Sequence, residues 1–114
     1  MAINLNQDYA EAHNNLASFY LQHRKFDLAL KYYQQAVHCK PDYIEAHHNL
    51  GLLFMQKGET DYAIKQFNNV IQLNPKALNA HYQLATIYLA QEQLDIAKHH
   101  YQAILAIHHE DANC

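Results

Sequence analysis

Histidine is the residue type in this chain that most clearly could support chemistry, since ten of its 114 residues are histidines. Adjacent pairs at 47–48, 99–100 and 108–109 suggest metal coordination, because imidazole is a common ligand of transition metals. Neighbouring residues on a helix point about 100° apart, however, so an adjacent pair chelates a metal poorly. We therefore predict no metal site and no bound cofactor.

The other residue types that could carry catalysis form no recognisable motif. The sequence contains no GxGxxG, P-loop, HExxH or GxSxG pattern, and these patterns mark common nucleotide, metalloprotease and hydrolase sites. Cys39 and Cys114 are the two cysteines, which are too few for a disulfide scaffold and lack the CxxC spacing of a zinc site. We predict that the protein is not an enzyme and has no catalytic residues.

Composition and charge argue against several classes of partner. The formal net charge is −3 at pH 7, which argues against a nucleic-acid-binding surface. No apolar run approaches the roughly 20 residues needed to cross a bilayer. Residues 1–9 carry no charged and then apolar export signal. We therefore expect a cytoplasmic protein with neither nucleic acid nor a membrane among its partners.

An internal repeat organises the chain. Aligned at a period of 34 residues, the sequence divides without gaps into units 10–43, 44–77 and 78–111. Five repeat positions carry the same residue in every unit, namely Ala12/Ala46/Ala80, His13/His47/His81, Leu16/Leu50/Leu84, Asp27/Asp61/Asp95 and Ala29/Ala63/Ala97. We number the repeat positions 1–34 within each unit.

The first part of each unit has the spacing of a helix with one buried face. In unit one, His13, Leu16, Ala17 and Tyr20 fall at i, i+3, i+4 and i+7. The small residue at repeat position 8 would let a paired helix approach closely. Turns are predicted to follow at 23–26, 57–60 and 91–94.

A second helix is predicted after each turn. Asp27, Asp61 and Asp95 stand where an N-cap is expected, because a carboxylate accepts the unpaired N–H groups of a helix start and suits the positive end of the dipole. Pro41 and Pro75 are predicted to end the helix in units one and two, since proline cannot continue it.

These repeat positions resemble the tetratricopeptide repeat (TPR) pattern, which is W-x2-L-G-x2-Y, then A-x3-F, then P. The matching segments are His13-x2-Leu16-Ala17-x2-Tyr20…Ala29-x3-Tyr33…Pro41, His47-x2-Leu50-Gly51-x2-Phe54…Ala63-x3-Phe67…Pro75 and His81-x2-Leu84-Ala85-x2-Tyr88…Ala97-x3-Tyr101. Histidine replaces the tryptophan throughout, and His109 replaces the last proline. The resemblance implies an all-α fold, a right-handed α-solenoid of three helix-turn-helix units that stack on one another.

The resemblance also predicts the domain boundaries. Residues 1–114 form a single TPR domain, with the three units of the alignment as TPR 1, TPR 2 and TPR 3. Residues 1–9 resemble the tail of a preceding unit, and residues 112–114 the start of a truncated next unit. No polar capping helix follows, so the terminal repeats are expected to be prone to association.

One face of the first helices is predicted to bind a partner. In a TPR superhelix the stripe opposite the buried positions lines the concave groove, as the resemblance implies. The candidate peptide-binding residues are Glu11, Asn14, Asn15, Ser18, Gln22, Glu45, His48, Asn49, Leu52, Met55, Asn79, Tyr82, Gln83, Thr86 and Leu89. Among them, the amides Asn15, Asn49 and Gln83 recur every 34 residues. Carboxamides can pair with the N–H and C=O groups of an extended peptide.

The predicted function is a non-catalytic protein–protein interaction scaffold that binds an extended, largely uncharged peptide or partner segment in this groove. Two alternatives stay open. The chain could be a self-association or assembly module that forms a homo-oligomer through uncapped ends. It could also be a regulatory or substrate-presenting arm of a larger enzyme.

A heat-shock C-terminal carboxylate is not the expected ligand. The family members that grip it use a clamp of two lysines, one arginine and two asparagines. The clamp positions fall here on Asn14, Ser18, Asn49, Asn79 and Gln83, of which only Asn49 matches. A carboxylate needs charge-assisted donors, and every cation of the clamp is missing.

The repeated histidines also predict a response to pH. His13, His47 and His81 stand at the tryptophan position of the family, where packing in the core is the expected role. Protonation of a neutral, packed histidine opposes folding, so we expect helicity to fall at about pH 5.

Overall fold

Three helical hairpins follow one another in chain order. The computed structural model describes the backbone of residues 5–112 and the side chains of residues 9–107. The helices in this range are α1 (Leu5–Gln22), α2 (Phe26–Cys39), α3 (Ile44–Gln56), α4 (Thr60–Leu73), α5 (Leu78–Ala90) and α6 (Leu94–Ala112). No strand occurs within residues 5–112, and the predicted all-α fold is confirmed.

Each hairpin packs against the next. The helices pair as α1–α2, α3–α4 and α5–α6, and successive hairpins meet where α2 contacts α3 and α4 contacts α5. α1 also touches α3 directly. The first helices of units one and two therefore lie side by side, and the described chain is an α-solenoid that measures 43 × 36 × 19 Å.

The same type of turn joins the two helices of every hairpin. Arg24, Gly58 and Glu92 share one repeat position and have left-handed φ angles of 60°, 77° and 61°. In unit one, the N–H of Lys25 donates to the carbonyl of Tyr20 at 2.9 Å, and the other turns repeat this bond. This is the Schellman arrangement, which satisfies carbonyls that the last turn of the helix would leave unpaired.

The N-cap prediction for the aspartates is wrong. Asp27, Asp61 and Asp95 lie inside the first turn of α2, α4 and α6. The N-cap of α2 is Lys25, whose carbonyl accepts from the N–H of Ala29 at 3.0 Å. Its side chain makes no cap bond, because an ammonium group has no acceptor for a backbone N–H. The Schellman turn thus starts the helix before the aspartate. Each carboxylate still lies close to the positive end of the helix dipole.

Proline determines where the second helices end. α2 and α4 each end two residues before a proline, at Pro41 and Pro75. Gln7 and His109 stand at the equivalent repeat position, and there the helix continues, so that α1 and α6 are the longest helices in the described range. A single residue type therefore accounts for the difference in helix length.

This continuation bears on the expected partial units. Residues 5–9, which resemble the tail of a preceding unit, extend α1 as helix. At the other end α6 runs through Ala112. Residues 1–4 and 113–114 lie outside the described residues, so the rest of the predicted boundaries stays a prediction.

One core runs through all three hairpins. Small residues and large apolar residues alternate in it, and its fully buried members include Ala17, Ala29, Tyr33, Leu50, Leu53, Ala63, Phe67, Ala80 and Leu84. Repeat position 7 departs from the prediction in unit one, since Leu16 is 38% exposed whereas Leu50 and Leu84 are 1% and 0% exposed. Units two and three each pack on a preceding hairpin that covers this position. Within residues 5–112, no helix combines the length and the apolar composition needed to cross a bilayer.

Candidate peptide-binding face

The predicted binding residues all lie on α1, α3 and α5. α1 contacts α3 directly, and residues of α3 and α5 line a common cleft. These residues therefore share one surface, which we call the first-helix face. Its exposed side chains are Glu11, Asn15, Gln22, Glu45, Asn79, Tyr82, Thr86 and Leu89. Its half-buried side chains are Ser18, His48, Asn49, Leu52, Met55 and Gln83.

Asn14 is not available to a partner, which corrects its prediction as a free groove residue. Its side chain is 1% exposed, and its Oδ1 accepts a hydrogen bond from Nδ2 of Asn49 at 3.2 Å. The helical spacing of unit one places Asn14 opposite the buried positions, but α3 of the next unit covers it. Its role in the structure is to join the first two units.

The three recurring amides are consequently not equivalent. Asn15 is exposed, whereas Asn49 and Gln83 are half-buried. Asn49 uses one of its N–H groups to bind Asn14. A side-chain amide has two N–H donors and one oxygen, so the fold fixes the orientation of the middle amide and leaves part of its hydrogen-bonding capacity.

Repeat position 9 changes character together with the residue it packs against. The Ser18 hydroxyl lies 2.9 Å from the Tyr33 hydroxyl. Burial raises the pKa of Tyr33, which the hydrogen bond with Ser18 opposes. In unit two the same two positions hold Leu52 and Phe67, which belong to the apolar core. Ser18 therefore serves the fold first, and its contribution to a ligand would be secondary.

Two carboxylates make the start of the first-helix face acidic. Glu11 and Glu45 are exposed, and both act on Tyr43. Burial raises the pKa of Tyr43, the charges of Glu45 and Glu11 raise it further, and a hydrogen bond with Asn14 opposes the shift. Both carboxylates thus lie near one tyrosine, and they would repel a negatively charged ligand.

A cleft of about 600 Å³ opens between α3 and α5. It brings together three predicted binding residues, Glu45, His48 and Asn79. Its apolar lining consists of Ile44, Val70, Ala77, Leu78 and Ala80. Ligand pockets commonly measure about 300–1,000 Å³ and combine apolar walls with a few polar groups. The cleft therefore has the size and the composition to receive side chains of an extended partner.

His48 forms one wall of this cleft. Its ring lies edge-on to Phe67 with the ring centres 5.4 Å apart. Burial lowers the pKa of His48 below the usual 6.5, which favours the neutral ring. A neutral imidazole offers one donor and one acceptor, together with an apolar ring face.

The third unit contributes the most exposed apolar surface of the first-helix face. Tyr82 and Leu89 are 59% and 49% exposed. The Tyr82 ring lies edge-on to Tyr101 with the centres 6.4 Å apart, and the Thr86 hydroxyl donates to the Tyr82 carbonyl at 3.0 Å. The contact with Tyr101 orients the Tyr82 ring, which stays accessible.

The histidines at repeat position 4 make polar contacts that their predicted packing role does not include. Nε2 of His47 donates to the carbonyl of Pro41 at 2.8 Å, and Nε2 of His81 donates to the carbonyl of Pro75 at 2.9 Å. The two residues are 9% and 6% exposed, which agrees with packing. In addition, they bind the backbone at the end of the preceding unit.

Repeat position 23 completes these contacts. His47 pairs with Gln66 at 2.8 Å and His81 with His100 at 3.0 Å. In unit one the position holds Tyr32, whose ring stacks on His13 at 6.0 Å. Because the partner changes from tyrosine to glutamine to histidine, identity between units does not reveal it. All three side chains can form hydrogen bonds, and this shared property would have indicated a polar contact with the histidine at repeat position 4.

The described part of the chain contains no candidate cluster of metal ligands. Among those residues, no group of three or more His, Cys, Asp or Glu side chains could hold a metal ion. The side chains of residues 108–109 lie outside the described range.

The repeats of this chain match those of a known family. A family model for the TPR repeat matches residues 20–58 and 51–92. The chain belongs to the tetratricopeptide repeat family. No curated protein matches the chain significantly.

Solved structures with this TPR fold superpose on most of the chain. A crystal structure of MamA superposes with a TM-score of 0.88 at 25% identity, over 92% of this chain and 61% of MamA. The first TPR of Spaghetti (RPAP3), bound to the HSP90 peptide SRMEEVD, gives 0.81 at 19% identity, over 89% and 80%. The second TPR of Spaghetti, bound to the same peptide, gives 0.82 at 15% identity, over 91% and 96%. The present chain thus spans about three fifths of the MamA structure, with which it shares a TPR array.

Proposed function

We propose that the first-helix face is the concave binding groove of this TPR array and that it holds an extended, largely uncharged segment of a protein partner. The cleft between α3 and α5 carries the proposal. It is the place where polar groups of the first-helix face meet an apolar lining, with Glu45, His48 and Asn79 beside Ile44 and Leu78.

The chemistry of the cleft suggests how a partner would bind. Ile44 and Leu78 are each 37% exposed, so an apolar side chain seated between them would remove surface of both from water. The exposed amide of Asn79 can pair with the backbone of the same segment. Tyr82 extends the contact along α5 as a rigid aromatic surface. An extended chain with one apolar anchor and uncharged neighbours fits these groups.

The HSP90 peptide bound by the Spaghetti TPRs is not the proposed ligand. That peptide, SRMEEVD, is acidic. In the present chain Glu11 and Glu45 flank the start of the groove, and Asn14 and Ser18, at two of the clamp positions, bind Asn49 and Tyr33. The two carboxylates repel an acidic peptide, and the two clamp positions offer it no cationic donor.

The experiment compares amides on the two sides of the solenoid. Peptides are selected from a random display library on the intact chain, and their affinities are measured by fluorescence anisotropy. Asn79→Ala combined with Gln83→Ala should weaken a selected peptide at least tenfold. Asn68→Ala combined with Gln102→Ala, which removes exposed amides from α4 and α6, is the matched control and should have little effect.

Two results would count against the groove. Selected peptides that bind equally well to the α5 variant would place the binding site elsewhere. Tight binding of SRMEEVD itself would reject the uncharged ligand. Circular dichroism of both variants separates lost binding from lost structure.

Self-association is a second candidate, which we infer from repeat position 10. Phe19 is 52% exposed, whereas Leu53 and Ile87 at the same position are 0% and 3% exposed. On the opposite end of the array, Leu105 is 67% exposed. A hairpin of the same repeat type could cover either surface, from a second copy of this chain or from the same polypeptide.

Mass as a function of concentration tests this candidate. Phe19→Lys should keep the chain monomeric at concentrations where the unaltered chain associates. Gln34→Lys, which adds the same charge at an exposed position of α2, is the control. A chain that is monomeric at every concentration, or that associates equally in both variants, would reject association through Phe19.

A further inference from the structure

A buried pair of histidines joins the two helices of the third hairpin. His81 on α5 and His100 on α6 are 6% and 9% exposed, and their Nδ1 atoms lie 3.0 Å apart. Nε2 of His81 lies 2.9 Å from the carbonyl of Pro75, which can only accept, so this nitrogen carries a proton. In the neutral pair, Nδ1 of His81 therefore accepts and Nδ1 of His100 donates.

This pair can hold one added proton but not two. With one proton added, one of the facing Nδ1 atoms still donates and the other still accepts. A second proton places N–H groups on both Nδ1 atoms, so the hydrogen bond is lost and two positive charges face each other across 3.0 Å. In the unfolded chain each ring can take its proton independently. Acid therefore favours separation of the two helices.

The surroundings of His100 oppose its protonation. Among the described residues, the titratable groups that face it are His81 and Tyr88 from α5 and His99 from α6. The Tyr88 ring stacks on His100 at 6.1 Å with an angle of 4° between the planes. Burial lowers the pKa of His100 below 6.5, and the charges of His81 and His99 lower it further.

The second hairpin provides a natural comparison. His47 makes the equivalent bond to Pro41, and its Nδ1 lies 2.8 Å from the side-chain oxygen of Gln66. A glutamine amide can turn, so it donates to a neutral imidazole or accepts from a protonated one. The pair in unit two therefore has one titratable ring and a partner that suits both of its states.

We propose that the His81–His100 pair is an acid-sensitive latch whose loss opens the α5–α6 hairpin while the first two hairpins stay folded. Units of a solenoid contact only their neighbours, so a terminal hairpin can open locally. The latch stabilises the hairpin above about pH 6.5, and this contribution is lost as the pH falls below that value. For each proton that the folded pair excludes, the opening constant rises by up to about tenfold per pH unit.

Hydrogen exchange of the backbone amides at about pH 7.5 and about pH 5.5 tests the latch, after correction for intrinsic exchange rates. In the unaltered chain, the loss of protection between these two pH values should be much larger in α5 and α6 than in α1 and α2. His100→Gln copies the unit-two pair and should make this loss at least severalfold smaller. Gln66→His copies the unit-three pair and should create a smaller loss in α3 and α4, because hairpins on both sides cover this pair of helices.

Equal pH dependence of the unaltered chain and His100→Gln would overturn the proposal. Nitrogen-15 NMR of the imidazole rings provides a test that needs no variant. At about pH 5.5 the folded third hairpin should carry at most one added proton on the pair. Two protonated rings in a hairpin whose amides remain protected would also overturn it.

Discussion

Asn49 donates a side-chain hydrogen bond to Asn14 at 3.2 Å, from the first helix of unit two to the first helix of unit one. Asn14 is 1% exposed, so water cannot replace this donor. The bond directly joins two hairpins through helices that otherwise touch only lightly. It also takes part of the hydrogen-bonding capacity of an amide on the proposed groove, so stability and ligand binding share this residue.

Asn49→Ala should therefore destabilise the chain. The change leaves Oδ1 of the buried Asn14 without this donor, which costs about 1–3 kcal/mol in the free energy of unfolding. Urea denaturation followed by circular dichroism measures the loss. Asn15→Ala removes the exposed amide at the same repeat position in unit one and should change the free energy by less than about 0.5 kcal/mol. Equal effects of the two changes would contradict a structural role for the Asn14–Asn49 bond.

Gly51→Ala should also destabilise the chain, although alanine is the better helix former. A Cβ atom at Gly51 would lie 2.7 Å from two ring carbons of Phe67, and this ring is fully buried. Overpacking of this kind costs about 1–3 kcal/mol, whereas the gain in helix propensity is about 1 kcal/mol. Thermal unfolding should show a lower midpoint for Gly51→Ala. Addition of Phe67→Leu should make the effect of the alanine smaller, and a stabilising effect of Gly51→Ala alone would contradict the close contact.

Substitutions in the turns between paired helices should change the stability of the chain in opposite directions. Arg24 and Glu92 have left-handed φ angles at the repeat position where unit two has Gly58. Arg24→Gly or Glu92→Gly should stabilise the chain by up to about 1 kcal/mol, because glycine adopts this conformation without strain. Gly58→Ala should destabilise it by about 1 kcal/mol through the backbone, since no atom lies within 4 Å of the added Cβ. Chemical denaturation of the three variants checks both signs, and a uniform sign would reject the backbone explanation.

The sequence predicted the repeats because packing residues recur at a fixed spacing, and the structure confirms that the repeats form paired helices. It did not predict the environment of Asn14, because the helical spacing within one unit does not show what the next unit covers. The aspartate N-caps failed for a related reason. The Schellman turn fixes the start of α2 through the carbonyl of Lys25, and only Gly58 marks this turn in the sequence with its usual residue.

The pairing of repeat positions 9 and 24 leads to a prediction for the core. Ser18 and Tyr33 form a hydrogen bond of 2.9 Å, whereas unit two has Leu52 and Phe67 at these positions. Tyr33→Phe should cost about 0.5–1.5 kcal/mol, because the half-buried Ser18 hydroxyl loses its partner. Ser18→Leu together with Tyr33→Phe copies unit two and should recover part of the loss. A double-mutant cycle by urea denaturation checks the coupling, and additive effects of the two changes would contradict it.

The pKa of His48 leads to a prediction about partner binding that rests on the proposed groove. Burial against Phe67 already lowers the pKa of His48 below 6.5. An apolar side chain in the cleft would remove more water from the ring and lower the pKa again. The free chain then binds a proton that the complex excludes, so affinity is constant at high pH and falls as the pH drops through the pKa of free His48.

The affinity of a display-selected peptide should weaken by up to about tenfold per pH unit in that range. His48→Gln keeps a polar side chain in the cleft but removes the titration, so the affinity of this variant should change much less with pH. Both proteins are measured with His100→Gln, which removes the acid-sensitive His81–His100 pair beside the cleft. Circular dichroism at each pH ensures that the chain is folded. Identical pH profiles for the variant and the unaltered chain would show that the bound segment does not cover His48.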